Sequence, residues 1–385
     1  MSATKAFLQC AKTFVFQQVT SVPPPRDTNS IAFALLLQKV DGVDEVAQRI
    51  PPRQAARAKA LSQQESKTMF CMSAYSRLLK SVAFTLLAAS LSLAQRPAGP
   101  NRPAAVPGDY LITPFGYFHS SCVKHLAKGD EVRRDEKAVR HANGTVDNIQ
   151  ACAFPHFKAD GTKIVGDERG VKDPSIGHAW VEYASTTITS SYAYLYAYWN
   201  VPSAPTSHDG QTIYLFPGME DYADIVTIIQ PVLGWNSDYA NAWGIASWNC
   251  CVSGTVFEAA PAHVNSGDVI YGYMFDTCAS GTLSCPTWDI VTWDLTNNNF
   301  SELINTSSFG QTFNWAFAGA LEVYNVSQCS DYPSNGSTSF YNLGLYNFRW
   351  TKIANPAWTV TNLSSGLTPQ CGYGGTLPKQ LTLTY

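Results

Sequence analysis

Between Ser191 and Trp199 the chain reads Ser-Tyr-Ala-Tyr-Leu-Tyr-Ala-Tyr-Trp, with tyrosine at every second position from 192 to 198. A period of two puts those rings on one face of a β-strand. The same short, aromatic and β-branched texture recurs at 212–216, 225–233, 243–248, 255–259, 269–275, 287–295, 311–316 and 321–326, between turns of Gly, Asn, Asp, Ser and Pro. No stretch of helical amphipathicity interrupts it. The pattern predicts an all-β fold over residues 181–385, a sandwich or barrel of antiparallel strands.

Upstream the texture changes. Residues 95–109 form a Pro/Gly-rich linker, and 110–180 are polar, with a charge cluster between Lys124 and Arg140. This second stretch reads as a small N-terminal module or as a pro-segment. Residues 72–94 read as a secretory signal peptide: Arg77 and Lys80, an apolar run from Val82 to Leu93, then a small-x-small step at Ser92-Leu93-Ala94. The apolar run is too short for a comfortable membrane span. Residues 1–71 carry no periodicity, repeat or motif and read as an upstream extension outside the mature protein, with translation starting at Met72. A short cytosolic tail with a signal anchor is the alternative. The expected location is extracellular, with no membrane association after signal cleavage.

Charge sharpens this division. Residues 1–94 hold 11 Lys+Arg against 5 Asp+Glu, and residues 95–180 hold 12 against 10. Residues 181–385 hold only Arg349, Lys352 and Lys379 against 14 acidic side chains. A surface with so few cations has few ion pairs to lose when carboxylates protonate, and it suits acid; it serves equally as an acidic solubilising surface. It excludes nucleic acid as a partner, because phosphates demand a basic patch. The cationic strip before the acidic domain could dock on it at neutral pH and release in acid.

Eight cysteines lie downstream of residue 95, an even set that fits an oxidised secreted protein. Cys278 and Cys285 flank six residues and suggest a bridged loop, with Cys122–Cys152 as a second pair. Cys250 and Cys251 are expected to pair elsewhere, with Cys329 and Cys371. His119-x2-Cys122-x2-His125 has metal-like spacing, but a disulfide accounts for its cysteine and no metal is assigned. Six N-x-S/T sequons, at Asn143, Asn299, Asn305, Asn325, Asn335 and Asn362, agree with a glycoprotein.

The common catalytic motifs are absent: no H-E-x-x-H, G-x-S-x-G, P-loop or dinucleotide fingerprint occurs. Beyond residue 200 the histidines are His208 and His263, and no serine beside His263 has a nucleophile's context. What remains for chemistry is carboxylates and amides, among them Glu220, Asp221, Asp224, Gln230, Glu258, Asp268, Asp276, Glu302 and Glu322. Glu322 interrupts an apolar strand, and Gln230 closes the run Ile225-Val-Thr-Ile-Ile just before Pro231. By themselves both also read as an ordinary solvated carboxylate and a strand-end amide.

Five short matches, taken in order, change that balance. They are Trp199-Asn-Val-Pro202-Ser-Ala-Pro205, Tyr214-Leu-Phe-Pro-Gly218-Met-Glu220 leading to Ile228-Ile-Gln230, the Trp243/Trp248 strand, Gly267-Asp268-Val-Ile270, and Gly310-Gln-Thr-Phe leading to Ala320-Leu-Glu322-Val-Tyr. Over about residues 192–330 the chain resembles the glutamic peptidases of the eqolisin type. The resemblance implies a two-sheet sandwich of the concanavalin/lectin-like jelly-roll kind, with its cleft on a concave sheet, and a catalytic pair at Gln230 and Glu322. It implies supporting roles for Glu220, Trp199, Trp248 and Asp268, no cofactor, and a polypeptide substrate for an acid endopeptidase; the expected state is a monomer. The chain departs from the family in having Gly-Met-Glu220 for Gly-Ile-Asp, Pro231 after the glutamine, and Asn249-Cys250-Cys251 where the family's central Trp strand has an acid.

In that chemistry Glu322 activates a water and then protonates the leaving amine, while Gln230 donates to the developing oxyanion. Glu220 serves as an orienting group or as the second carboxylate of a pair. Two rivals share the architecture, since fold does not fix function. One is a carbohydrate-binding lectin-like sandwich that stacks sugars on Trp235, Trp243, Trp248 and the Tyr192–Tyr198 ladder. The other is a glycoside hydrolase using Glu220 and Glu322.

Overall fold

The structure, a computed structural model, describes residues 102–133, 138–164, 179–223, 227–251, 254–364, 369–377 and 379–385. The signal peptide and the upstream extension lie outside the described residues. The N-terminal module carries eight short strands: β1 (Tyr110–Thr113), β2 (Gly116–His119), β3 (Val123–Leu126), β4 (Glu131–Val132), β5 (Ala138–Arg140), β6 (Val146–Asn148), β7 (His156–Phe157) and β8 (Lys163–Ile164). The sandwich carries β9 (Trp180–Thr187), β10 (Tyr192–Asn200), β11 (Thr212–Glu220), β12 (Ile228–Trp235), β13 (Trp243–Cys250), β14 (Val256–Ala259), β15 (Ala262–Val264) and β16 (Val269–Asp276). It continues with β17 (Thr287–Asp294), β18 (Asn299–Ser307), β19 (Trp315–Tyr324), β20 (Ser337–Asn347), β21 (Thr359–Asn362), β22 (Gly374–Thr376) and β23 (Leu381–Thr384).

These strands build the expected all-β sandwich. Its smaller sheet runs β18-β17-β16-β10-β20-β23-β22, and its larger sheet runs β21-β9-β19-β11-β12-β13-β14-β3, with β15 on β13. Every pairing is antiparallel except the last, in which β3 of the module adds in parallel to β14. The expected strands at 311–316 and 321–326 merge into the single strand β19, whose alternation is masked because both of its faces are buried. Strands β18, β20, β21, β22 and β23 are too rich in Asn, Ser, Thr and Gly to stand out by hydrophobic pattern. Residues 102–109 are not a bare tether: the Arg102 guanidinium donates to the carbonyls of Pro107 and Tyr110, and Val106 is buried.

Alternation assigns the two faces of the larger sheet. Ile213, Leu215, Leu233, Ile245 and Leu321 point to the smaller sheet, where they meet Trp199, Ile270 and Phe340. Their neighbours Tyr214, Phe216, Val232, Ala246, Trp248 and Ala320 point the other way and meet Tyr110, Tyr117, Phe118, Val123 and Phe157 of the module. Strands β11, β12 and β13 are therefore buried at every residue, which a one-sided sandwich sheet does not require. The module is a third layer.

Between the sheets, Trp199 is fully buried and packs on Phe340. A Cβ on Gly272 would lie 2.5 Å from the Trp199 ring and 2.8 Å from Pro231. Replacing Gly272 by Ala should destabilise the sandwich by about 1–3 kcal/mol through overpacking, and a melting scan should find the midpoint lowered by about 2–10 °C.

Cys122 pairs with Cys152 and Cys278 with Cys285, as the spacing suggested. The remaining expectation is corrected. Cys329, just after β19, pairs with Cys371, just before β22, and Cys250 pairs with its neighbour Cys251. The disulfide also resolves the metal-like spacing: His119 faces Asp109 and Ser121, His125 faces Glu258, and Cys122 is committed to its bridge.

Candidate active site

Strand register decides which polar side chains share a face, because residues directly opposite in an antiparallel pair point the same way. Gln230 on β12 stands opposite Trp248 on β13, and Trp248 stands opposite Glu258 on β14. Glu322 on β19 stands opposite Tyr214 on β11. Glu220, at the end of β11, stands opposite Ile228 and Trp315. Each of these partners belongs to the face that the module covers. Glu220, Gln230, Trp248, Glu258 and Glu322 thus line one surface. β11 runs between the strands of Gln230 and Glu322, with a bulge between Phe216 and Gly218 that bends it beside the glutamine.

All five are essentially removed from solvent, none more than 2% exposed. Burial of polar groups is costly unless they are paired. Yet neither end of the Gln230 amide has a hydrogen-bond partner among the described residues, and neither does the Trp248 indole N–H. Glu322 accepts a hydrogen bond from the Tyr324 hydroxyl, and the Trp180 indole faces it. Burial pushes the Glu322 carboxyl up to about 8, against the Tyr324 and Trp180 contacts and with help from the negative charge of Glu220. That Glu322 feels Glu220, and that the Tyr214 phenol feels both Glu258 and Glu322, shows that the groups form one electrostatic cluster.

Two of the residues singled out by sequence belong elsewhere. Trp199 lies on the smaller sheet inside the inter-sheet core, beneath the strand that carries Gln230. Asp268 ties a turn, accepting from the Asn265 backbone N–H at 2.8 Å and from the Asn297 amide at 2.8 Å. Conversely, Tyr214, Tyr324 and Trp180 join the cluster without a sequence signal of their own, and Glu258, one of the carboxylates the sequence left available for chemistry, joins it too. The signal of Glu258 is its place in a short apolar strand, where it alternates with Phe257 just as Glu322 does with Leu321.

Of the sugar platform expected of a lectin-like sandwich, the tryptophans are not on a surface. Trp235 and Trp243 are buried between the sheets, Trp248 lies under the module, and Tyr192 is in the core. Tyr194, Tyr196 and Tyr198 stay half-buried on the outer face of the smaller sheet, where they meet Tyr271, Tyr341 and Tyr346.

The module reaches into the cluster from above. Its β1–β2 hairpin places Phe115 edge-on to Trp248, with ring centroids 6.3 Å apart. Tyr117 is edge-on to Tyr324 at 5.6 Å, and its hydroxyl donates to Asn325. From β3, His125 Nδ1 lies 2.6 Å from the Glu258 carboxylate. Burial lowers the pKa of that imidazole, opposed by Asp238.

No family model matches the chain, and no curated protein matches it. Among solved structures it is similar to scytalido-glutamic peptidase with a peptide-based transition-state analogue: 13% identity, 54% of this chain, 98% of that one, TM-score 0.39. It is also similar to SCP-B, a member of the eqolisin family of peptidases, in complex with the tripeptide Ala-Ile-His: 14% identity, 54% and 98% coverage, TM-score 0.38. Alginate lyase A1-II′ of polysaccharide lyase family 7 matches at 10% identity, 58% and 92% coverage, and TM-score 0.22. At these scores the likenesses carry no weight on chemistry.

Proposed function

We propose that the chain is a secreted acid endopeptidase that hydrolyses peptide bonds with a Glu322-activated water and a Gln230 oxyanion donor. One observation carries the reading. A neutral amide with both ends unmatched and a carboxyl with a strongly raised pKa are buried on the same face of one sheet, among further acids and aromatics. Perturbed, buried, mutually coupled groups of this kind are what acid–base chemistry uses.

The assigned roles follow from what each group can donate. In the uncovered cleft Glu322 regains solvent and ionises more readily, so in mild acid it takes a proton from water. It then returns that proton to the leaving amine. Gln230 has two amide N–H donors and no competing partner among the described residues, so they are available to the oxyanion. Glu220 supplies like charge that keeps the Glu322 proton affinity high enough for the second step. The N-terminal module must shift or be cut before substrate can enter, which fits a pro-segment.

The test is hydrolysis of a denatured protein substrate between pH 2 and 7 by the full secreted chain after acid incubation. The expected result is activity with an acid optimum, reduced about 10²- to 10³-fold in Gln230→Ala, the loss that follows removal of one oxyanion donor. A Gln230→Ala protein as active as the parent, or no hydrolysis at any pH, overturns the reading.

A further inference from the structure

The β1–β2 hairpin touches the face that carries Gln230 and Glu322 through two distinct kinds of contact. The first is polar. Tyr214, fully buried on β11, donates its hydroxyl to the backbone carbonyl of Ile112 at 3.2 Å, while Ser237 donates to the same phenol oxygen at 3.3 Å. Burial raises the Tyr214 phenol far above its ordinary range, so it remains a donor at every working pH. A buried phenol needs an acceptor. Here the acceptor is a carbonyl of a peptide backbone, a group that every substrate of a peptidase carries.

The second contact is apolar. Three residues on, the Phe115 ring meets the Trp248 indole edge-on, directly beside Gln230 in strand register. Both contacts lie on one short segment, Ile112-Thr-Pro-Phe115, laid over the strands that carry Gln230 and Glu322. The turn that holds them is specific: Gly116 has φ +118°, and a Cβ there would lie 2.4 Å from the Phe157 carbonyl oxygen. Thr113 Oγ1 donates to the Gly116 carbonyl at 3.0 Å and tightens the loop. The backbone groups of β1 and β2 pair with one another, so the segment rests in the cleft as a closed hairpin.

We infer that this hairpin occupies the cleft in the manner of a bound peptide and so marks two subsites of the enzyme. Tyr214 holds a substrate backbone carbonyl, and Trp248 receives a bulky, preferably aromatic, substrate side chain. The substrate class is therefore polypeptide with an aromatic residue at one fixed position relative to the bond cut. This rests on the peptidase reading above.

The experiment uses the full chain, incubated in acid, with internally quenched peptides that differ only in carrying Phe, Ala or Glu at a scanned position. The expected result is a preference of about tenfold or more in kcat/KM for Phe over Ala at one position. Trp248→Ala should compress that ratio to about threefold or less, with Trp248→Leu as the substitute should the alanine protein fail to fold. Tyr214→Phe should raise KM by about tenfold with kcat changed by no more than about threefold, the mark of a lost binding contact. Cleavage with no aromatic preference, or with a preference that Trp248 variants leave intact, overturns the inference while leaving the peptidase reading standing. Cleavage of no peptide at any pH overturns both.

Discussion

Replacing Glu322 by Gln should lower peptide hydrolysis by about 10³-fold or more and, in the same protein, raise the melting midpoint at pH 7.5. The two effects have one cause. In the covered structure Glu322 is fully buried, and its carboxyl is pushed up to about 8, first by desolvation. At pH 7.5 an unfolded chain would hold this group ionised, so folding must take up a proton at a cost of about 1.4 kcal/mol for each unit by which the pH exceeds the unfolded pKa, up to the folded value. An amide of the same shape has no such cost. It can still accept the Tyr324 hydroxyl through its oxygen. At pH 4 the carboxyl is largely neutral in both states, and the two proteins should melt together.

Activity moves the opposite way, because an amide can neither take a proton from water nor return one to an amine; general acid–base groups contribute typically about 10²–10⁴. Steady-state hydrolysis at the acid optimum and melting scans at pH 4 and 7.5 check both halves. A variant that loses activity and also stability at pH 7.5 would indicate damage to packing and would remove Glu322 from the centre of the mechanism. A stable, inactive variant is the signature of a strained functional carboxylate.

The polar residues of the candidate site were legible in the sequence, and the module packed over them was not. Gln230 and Glu322 stood out as polar residues within apolar strands, and the structure places both on one face. Trp199 and Asp268 were drawn in because they sit in short matched segments, although the first fills the inter-sheet core and the second ties a turn. Proximity in a motif says nothing about which side of a strand a residue takes; a shift of one position reverses it. The module defeated the pattern for a different reason. Its strands are two to four residues long, so no hydrophobic period can establish itself within one. The long apolar runs of β12 and β13, buried on both faces, already hinted at a third layer. A strand that is covered on one side only should alternate, and these do not.

The protein should be most stable in mild acid and should lose stability as the pH rises from about 4.5 to about 8. Three carboxyls carry this. Burial raises Glu322 to about 8, Glu182 to about 7 and Asp276 to about 7. For Glu182 the backbone N–H groups of Gly374 and Thr384 oppose the shift, and for Asp276 those of Cys278 and the Trp350 side chain do so, without cancelling it. A carboxyl whose folded pKa is raised binds more protons folded than unfolded between the two values, so stability falls as the pH rises through that window. Its favourable contribution is complete below the unfolded pKa and gone above the folded one.

Few groups oppose the trend within the acidic half of the chain, which holds just three Lys and Arg residues to form ion pairs. In the module three groups go the other way. Burial lowers the imidazoles of His156, to about 4, and of His125, so both favour folding as the pH rises towards 6.5 and offset part of the fall. Burial raises Asp130, but His141 and the Ala127 and Ala142 N–H groups prevail and hold it below its ordinary value, so its contribution is lost only in stronger acid. Each raised carboxyl is worth on the order of a few kcal/mol, and melting scans should find the midpoint at pH 8 lower than at pH 4.5 by on the order of 10 °C. Glu182→Gln, which lies between the sheets and away from the cleft, should remove part of that slope without altering the pH optimum of hydrolysis. A midpoint that is flat or rising between pH 4.5 and 8 would mean that these carboxyls are ionised in the folded protein.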